Sequence, residues 1–150
     1  MALQWKSSVI TQALVDLITA AHVPTDLQVV YYGDQKRIPY VPSATVYSGD
    51  MGRDFNQTGL QYEIMLTTYI NLYHAAIGDV QTITKDLDEL AELVSQTVNL
   101  ARTLPDGAGA QRIIHGHISS VSPGFAERGG SLFIAHQMVH TSITRQQVGT

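Results

Sequence analysis

The sequence predicts an α+β domain in which one mixed, mostly antiparallel β-sheet carries two amphipathic helices on one face. Three observations lead to this prediction. The apolar patterns follow the order helix, three strands, helix, two strands; one long stretch alternates apolar and polar residues; and no linker or internal repeat divides the chain. A chain of 150 residues is most simply a single domain, residues 1–150, with enough interior for a hydrophobic core.

The N-terminal part of the chain predicts one helix and two strands. Residues 7–22 place apolar side chains at helical spacing, with serine at the start and proline just beyond the end. Strands are predicted at 27–32 and, after two prolines, at 44–47. The stretch "MGRDFNQTG" at 51–59 is loop by composition.

The clearest strand signal is "LQYEIMLTTYINLYH", residues 60–74, whose even positions are largely apolar. Fifteen extended residues would span roughly 50 Å, whereas most strands reach only ~17–20 Å. We therefore expect this strand to bend, to carry a bulge, or to project beyond its own domain as a hairpin arm.

The C-terminal half predicts a helix over 79–103, with Asp79 as its cap and "LPDGAG" as its stop. The acidic residues of this helix lie mainly off its apolar stripe and are interpreted as a solvated face. Two strands follow at 111–121 and 131–146, and "SPGFAERGG", residues 122–130, is predicted to be a long hairpin loop.

Composition argues against several classes of protein. The formal net charge is −4 and the basic residues are scattered, which argues against a dedicated nucleic-acid binder. The chain has no cysteine, so thiolate metal sites and disulfides are excluded. No segment reaches 18 consecutive apolar residues, and the first 22 residues are periodic rather than continuously apolar, so neither a membrane span nor a signal peptide is predicted.

No sequence motif marks a catalytic site. The phosphate-binding loop, the GxSxG nucleophile elbow and the HExxH zinc motif are all missing from the sequence. Three serines, at 119, 120 and 122, lie near His117, yet no third group is marked that would orient that histidine. The sequence therefore predicts a protein that is not an enzyme and that needs no cofactor.

Four of the six histidines form two pairs, His115 with His117 in "HGH" and His136 with His140 in "AHQMVH". A hairpin closing symmetrically around Ala126 would place His117 opposite residue 135 or 136, where three or four imidazoles could bind zinc. A pH-sensitive contact is a second interpretation. We favour a third, in which these histidines form the polar face of the hairpin, at solvent, a channel or a subunit contact, and hold no metal.

The order of elements resembles the tail-terminator proteins of long-tailed bacteriophages and, more loosely, neck proteins of the head–tail joint. The likeness lies in "RIPYVPSATVY", "GLQYEIMLTTYINLY" and "DVQTITKDLDELAELVSQTVNLA", and it covers roughly residues 5–146. It concerns architecture, since no short diagnostic motif is shared.

The resemblance implies a structural virion protein without catalytic residues, made in the host cytoplasm. Such proteins are α+β subunits that assemble into a hexameric ring on the last ring of the tail tube. They stop tube polymerisation and offer the other face of the ring to the connector of the head. DNA would pass through the channel without specific binding, which suits a negatively charged chain. Residues 48–59 and 122–130 are the loops expected to reorder on assembly.

Several residues are candidates for contact with a neighbouring subunit or partner. They lie in a basic loop, on the long strand and in the hairpin at 122–130. Arginine and tyrosine are favoured among them because both are enriched at interfaces. The candidate residues are Lys36, Arg37, Arg53, Tyr69, Tyr73, Phe125 and Arg128.

Overall fold

The elements occur in the predicted order of helix, three strands, helix and two strands. The computed structural model describes residues 7–54, 61–104, 113 and 115–147, and side chains within these ranges except those of residues 50–54, 61, 62 and 145–147. Its elements are α1 (Ser7–His22), β1 (Val29–Tyr32), β2 (Ser43–Asp54), β3 (Gln61–Ala75), α2 (Val80–Leu100), β4 (His115–Arg128) and β5 (Ser131–Gln147).

The strands form one mixed, mostly antiparallel sheet in the order β1-β2-β3-β5-β4. β1 runs parallel to β2, and each of the other neighbouring pairs is antiparallel. Both helices pack on the same face, here called the helix face, and the opposite face is called the open face. The predicted fold class is therefore confirmed.

The main core lies between the helix face and the apolar stripes of the two helices. In α1 the stripe is Ile10, Leu14 and Ile18, and in α2 Val94 and Val98 lie at its centre. The even-numbered apolar residues of β3 meet them, as the alternation of that strand predicts. These residues are Ile64, Leu66, Ile70 and Leu72. Asp79 caps α2 as predicted: its carboxylate accepts from the backbone N–H of Gln81 at 3.1 Å.

The predicted loop at 51–59 is wrong where the chain is described. β2 continues to Asp54, well beyond the predicted end at residue 47, and residues 55–60 lie outside the described part. A bulge between Ser48 and Met51 keeps β2 paired with β3. Pairing with a long neighbour overrides the loop-like local composition because strand formation depends on cross-strand contacts more than on propensity.

The great length of β3 is accommodated by neighbours of similar length. Its pairing with β5 runs without interruption from Gln61 opposite Gln147 to Ala75 opposite Phe133. The bulge that accompanies this long ladder lies in β2 and not in β3. β3 is thus the central strand of the sheet, and it does not project as an isolated arm.

The predicted long hairpin loop at 122–130 is also wrong. β4 continues to Arg128, and Gly129 and Gly130 alone form the turn, with φ values of +60° and +82°. Positive φ at both central residues is the requirement of the tight type I′ hairpin turn, which glycine meets without strain. Pro123 is tolerated within β4 because this strand lies at the edge of the sheet.

The glycine of "HGH" is required by the packing beneath it. A Cβ added to Gly116 would lie 2.6 Å from Cδ1 of Ile113 and 2.9 Å from the His140 ring. These neighbours are both buried, so there is little room for them to move.

We expect Gly116→Ala to lower the free energy of unfolding by about 1–3 kcal/mol, because the added methyl group overpacks the core. Gly124→Ala on the same strand is the matched control, since its Cβ would meet only the carbonyl of Ala135 at 3.9 Å. Urea unfolding of both variants measures the difference. Equal stability of the two variants would contradict the packing shown here.

Candidate functional site

The open face is partly covered by the connection between β1 and β2. These strands are parallel neighbours, so the chain must cross the sheet to join them. Residues 33–42 do this over the open face, where Ile38 packs with Tyr73 and Phe133 in a second, smaller apolar cluster. Within the described part of the chain, no helix packs on the remainder of the open face.

A network of polar side chains lies beside this crossing segment. The Tyr73 hydroxyl donates to Oδ1 of Asp34 at 3.1 Å. The amide nitrogen of Asn71 donates to the hydroxyls of Tyr73 and Tyr47, each at 3.2 Å. Gln137 of β5 donates to the same Tyr47 hydroxyl at 3.1 Å. The network therefore joins the crossing segment to strands β2, β3 and β5.

An ion pair fixes the crossing segment to the tip of the hairpin. Nη2 of Arg128 lies 3.1 Å from Oδ2 of Asp34, and its guanidinium carbon lies 5.7 Å from the Tyr73 ring centre. Burial raises the pKa of Tyr73 above its ordinary value, so the hydroxyl remains a donor to Asp34 at neutral pH. We call the group Asp34, Tyr73 and Arg128 the clasp.

The turn of the hairpin also contacts the crossing segment. A Cβ at Gly129 would lie only 2.7 Å from Cγ of Arg37. The stem of Arg37 thus rests on the turn, and the exposed Lys36 is its neighbour in the chain. Three predicted interface cations, Lys36, Arg37 and Arg128, are consequently brought to one corner of the molecule.

The other predicted interface residues are spread over the molecule. Tyr69 is half-buried on the open face, where it covers Gly49 and lies 5.4 Å from the Tyr47 ring. Tyr73 is fully buried and is the innermost member of the clasp. Phe125 is 64% exposed and lies opposite Ile134, on the helix face.

Arg53 pairs through its backbone with Ile64, and its side chain is outside the described residues. Sequence reasoning missed Asp34, Asn71 and Gln137. The alternation of β3 offered one signal for Asn71, which occupies the side of the strand opposite the core-facing residues.

The four histidines do not share a face, which corrects the prediction of a single polar His face. His115 and His117 lie opposite Ile143 and Thr141, on the open face. His136 and His140 are on the helix face and are 1% and 0% exposed. The turn lies at residues 129 and 130, not around Ala126, so the register differs from the symmetric one assumed.

His136 connects the sheet to α2. Its Nε2 atom is 2.5 Å from Oδ1 of Asp88, a residue predicted only to be part of a solvated face. The carboxylate of Asp88 is 61% exposed while the imidazole is almost fully covered. One member of the acidic face of α2 therefore has a structural partner in β5.

His140 is buried without a hydrogen-bond partner for either ring nitrogen among the described residues. Burial is the main cause that lowers its pKa from 6.5 to about 4, and the nearby His117 and His115 act in the same direction. A neutral imidazole is the form that such a site tolerates, because a buried charge without a partner is costly.

A hydrogen-bonded chain of aspartate, histidine and threonine joins α1 to α2. Nδ1 of His22 is 2.7 Å from Oδ2 of Asp26, and its Nε2 is 2.7 Å from the hydroxyl of Thr97. The order of groups is that of a hydrolytic triad. However, the Thr97 hydroxyl donates to the carbonyl of Leu93 at 3.2 Å. It therefore accepts from His22, and the chain of bonds ties two helices together.

The described residues contain no large cluster of metal-binding side chains, and the grooves between them are shallow. They include no group of three or more His, Cys, Asp or Glu side chains placed to hold a metal ion. A shallow groove of about 280 Å³ follows the polar network, between Tyr47 and Arg128. A second, of about 350 Å³, lies between Asp26 and the N-terminal half of α2.

Comparisons with known proteins leave the family open: no protein-family model matches the chain, and no curated protein matches it. Among the described residues, no helix is long and apolar enough to cross a membrane.

The clasp predicts energetic coupling between Asp34 and Arg128. In a double-mutant cycle with Asp34→Asn and Arg128→Met, we expect a coupling of about 0.5–1 kcal/mol, because the pair is partly exposed and screened. Urea unfolding of the four proteins gives the value. Pairing Asp34→Asn with Arg102→Met, an exposed arginine after α2, is the control. Equal coupling in both cycles would show that the clasp contact is not formed.

His140 predicts a loss of stability in mild acid. The unfolded chain binds a proton at this residue near pH 6.5, whereas the folded protein does so only near pH 4. The contribution of His140 to the free energy of unfolding is therefore complete above pH 6.5. It is lost as the pH falls toward 4, which lowers the free energy of unfolding by up to about 3 kcal/mol. His140→Leu should remove this part of the pH dependence, and His74→Ala should retain it. Urea unfolding from pH 7.5 to 4 measures both.

Proposed function

We propose that the protein is a structural subunit of a bacteriophage virion, a tail terminator that forms a hexameric ring on the end of the tail tube. The ring would stop polymerisation of the tube on one side and dock the head connector on the other. The observation that carries this proposal is the fold. The two helices and five strands follow one another in the order on which the resemblance to tail terminators is based.

Exposed apolar surface supports an assembly role. The helix face of the hairpin carries three exposed apolar residues, Val121 and Phe125 on β4 and Leu132 on β5, which are 42%, 64% and 55% exposed. On the open face, Met65 is 49% exposed. Clusters of exposed apolar side chains mark contact sites more often than isolated ones do. We assign the hairpin surface of Val121, Phe125 and Leu132 to contact with a neighbouring subunit.

The clasp supports the same role by stiffening the element that would reach the neighbour. An extended hairpin must hold its shape if its apolar residues are to dock without a large loss of entropy. Arg128 anchors the tip to Asp34, while Arg37 covers the turn at Gly129. A head-to-tail contact of this kind, in which two different surfaces of one chain meet, is the type that closes into a ring.

The net charge of −4 suits a channel through which DNA moves, because strong attraction to phosphate would retard it. Another neck protein, such as a head-completion or stopper subunit, is the alternative within the same class. A metal-dependent enzyme using all four histidines is disfavoured, because His115 and His117 lie on the opposite face of the sheet from His136 and His140.

Native mass spectrometry and negative-stain imaging test the proposal, with the protein alone and with tail tubes. We expect rings of about six times 16.4 kDa, or density that caps tube ends. Phe125→Asp should abolish assembly because it places a charge in the contact. Leu93→Asp is the matched control, since Leu93 is also an exposed apolar residue (46%) but lies in α2 beside Thr25 and Asp26 and not on the hairpin.

Circular dichroism must show that both variants keep the wild-type fold. The proposal would be overturned if the protein stayed monomeric at high concentration and did not bind to tail tubes. Equal loss of assembly in the two variants would overturn the assignment of the contact to the hairpin.

A further inference from the structure

Two imidazoles stand side by side at the start of β4. The rings of His115 and His117 have centroids 5.4 Å apart and planes inclined by 34°. His117 is exposed and His115 is half-buried, so solvent reaches the pair. Residues two apart on a strand point to the same side, which explains why both rings lie on the open face.

The spacing of the rings matches that of two imidazoles bound to one metal ion. With metal–nitrogen bonds of about 2.0–2.1 Å, two ring centres lie about 4.5 Å apart at the tetragonal angle of Cu²⁺ and about 5 Å apart at the tetrahedral angle of Zn²⁺. The observed 5.4 Å is close to the second of these values. An ion could therefore be bound by rotation of the side chains, without movement of the backbone.

The backbone that carries the two rings is held on both sides. On one side His117 pairs with Thr141 of β5. On the other, the backbone N–H of Ile118 donates to Oδ1 of Asn99 in α2 at 2.8 Å. Beneath Gly116 lies the His140 ring. A rigid strand is a better support for a ligand pair than a loop, because less freedom is lost on binding.

The surroundings of the pair select the class of ion. Directly across the ladder lie Ile143 and Thr141, which offer an apolar side chain and a neutral hydroxyl. The pair forms no group of three or more His, Cys, Asp or Glu within the described residues. Imidazole nitrogen suits Cu²⁺, Ni²⁺ and Zn²⁺, whereas Mg²⁺ and Ca²⁺ require oxygen ligands.

We propose that His115 and His117 form a two-ligand site for a divalent transition-metal ion, with water in the remaining coordination positions. Cu²⁺ is the ion bound most tightly, as the general order of divalent affinities dictates. His136 and His140 take no part, because they lie on the opposite face of the sheet and are buried. The site is independent of the proposed assembly role, which needs no metal.

Titration of the untagged protein with Cu²⁺ alone tests the site, by calorimetry and by electron paramagnetic resonance. We expect one Cu²⁺ per chain, with the hyperfine pattern of two nitrogen ligands. His115→Ala or His117→Ala should each weaken binding about tenfold or more and leave at most one nitrogen. His74→Ala, which alters a half-buried histidine on β3, is the matched control and should bind as the wild type does.

Retention of the untagged protein on immobilised Ni²⁺ provides a second measurement. The wild type and the His74→Ala variant should be retained, and the His115→Ala/His117→Ala double variant should elute early. Circular dichroism confirms that each variant is folded. The proposal is overturned if the wild type binds no Cu²⁺, if the double variant binds it equally well, or if His74→Ala causes the same loss.

Discussion

The antiparallel register between β3 and β5 is the constraint on which the rest of the structure depends. Because side chains alternate along a strand, this one register decides which residues of both strands meet the helices. It places Ile70 opposite Met138 on the helix face and Tyr73 opposite Ala135 on the open face. The core, the polar network and the burial of His136 and His140 on the helix face all follow. A slip of one residue in either strand would move the core-facing side chains of that strand to the open face.

Much of the fold was predictable because local patterns agree with the tertiary structure. The helical stripe of α1 and the alternation of β3 are strong periodic signals, and both give the right elements. The β4–β5 hairpin was harder. Pro123 and Gly124 indicate a loop by local chemistry, yet the edge of a sheet accepts both. The error in the turn then carried into the register, and with it into the predicted face of His136 and His140.

The clasp could not be predicted from the sequence, since its partners are distant in the chain. Asp34 and Arg128 are 94 residues apart, and each is an ordinary charged residue in its local context. They meet only because the connection between two parallel strands has to cross the open face. The chain from Asp26 through His22 to Thr97 is similar: its first two members are a local i, i+4 pair, whereas the third depends on how α1 packs against α2.

The proline in β4 has a consequence for solubility. β4 has 14 residues and lies at the free edge of the sheet, so its backbone could template growth by strands from other molecules. Pro123 has no N–H to donate to an added strand, and the bulge between Ile118 and Ser120 disturbs the ladder. The N–H of Ile118 already donates to the side chain of Asn99. These interruptions divide the edge into short stretches. Association is thereby directed away from open-ended backbone pairing, the route to fibrils, and toward contacts that side chains specify.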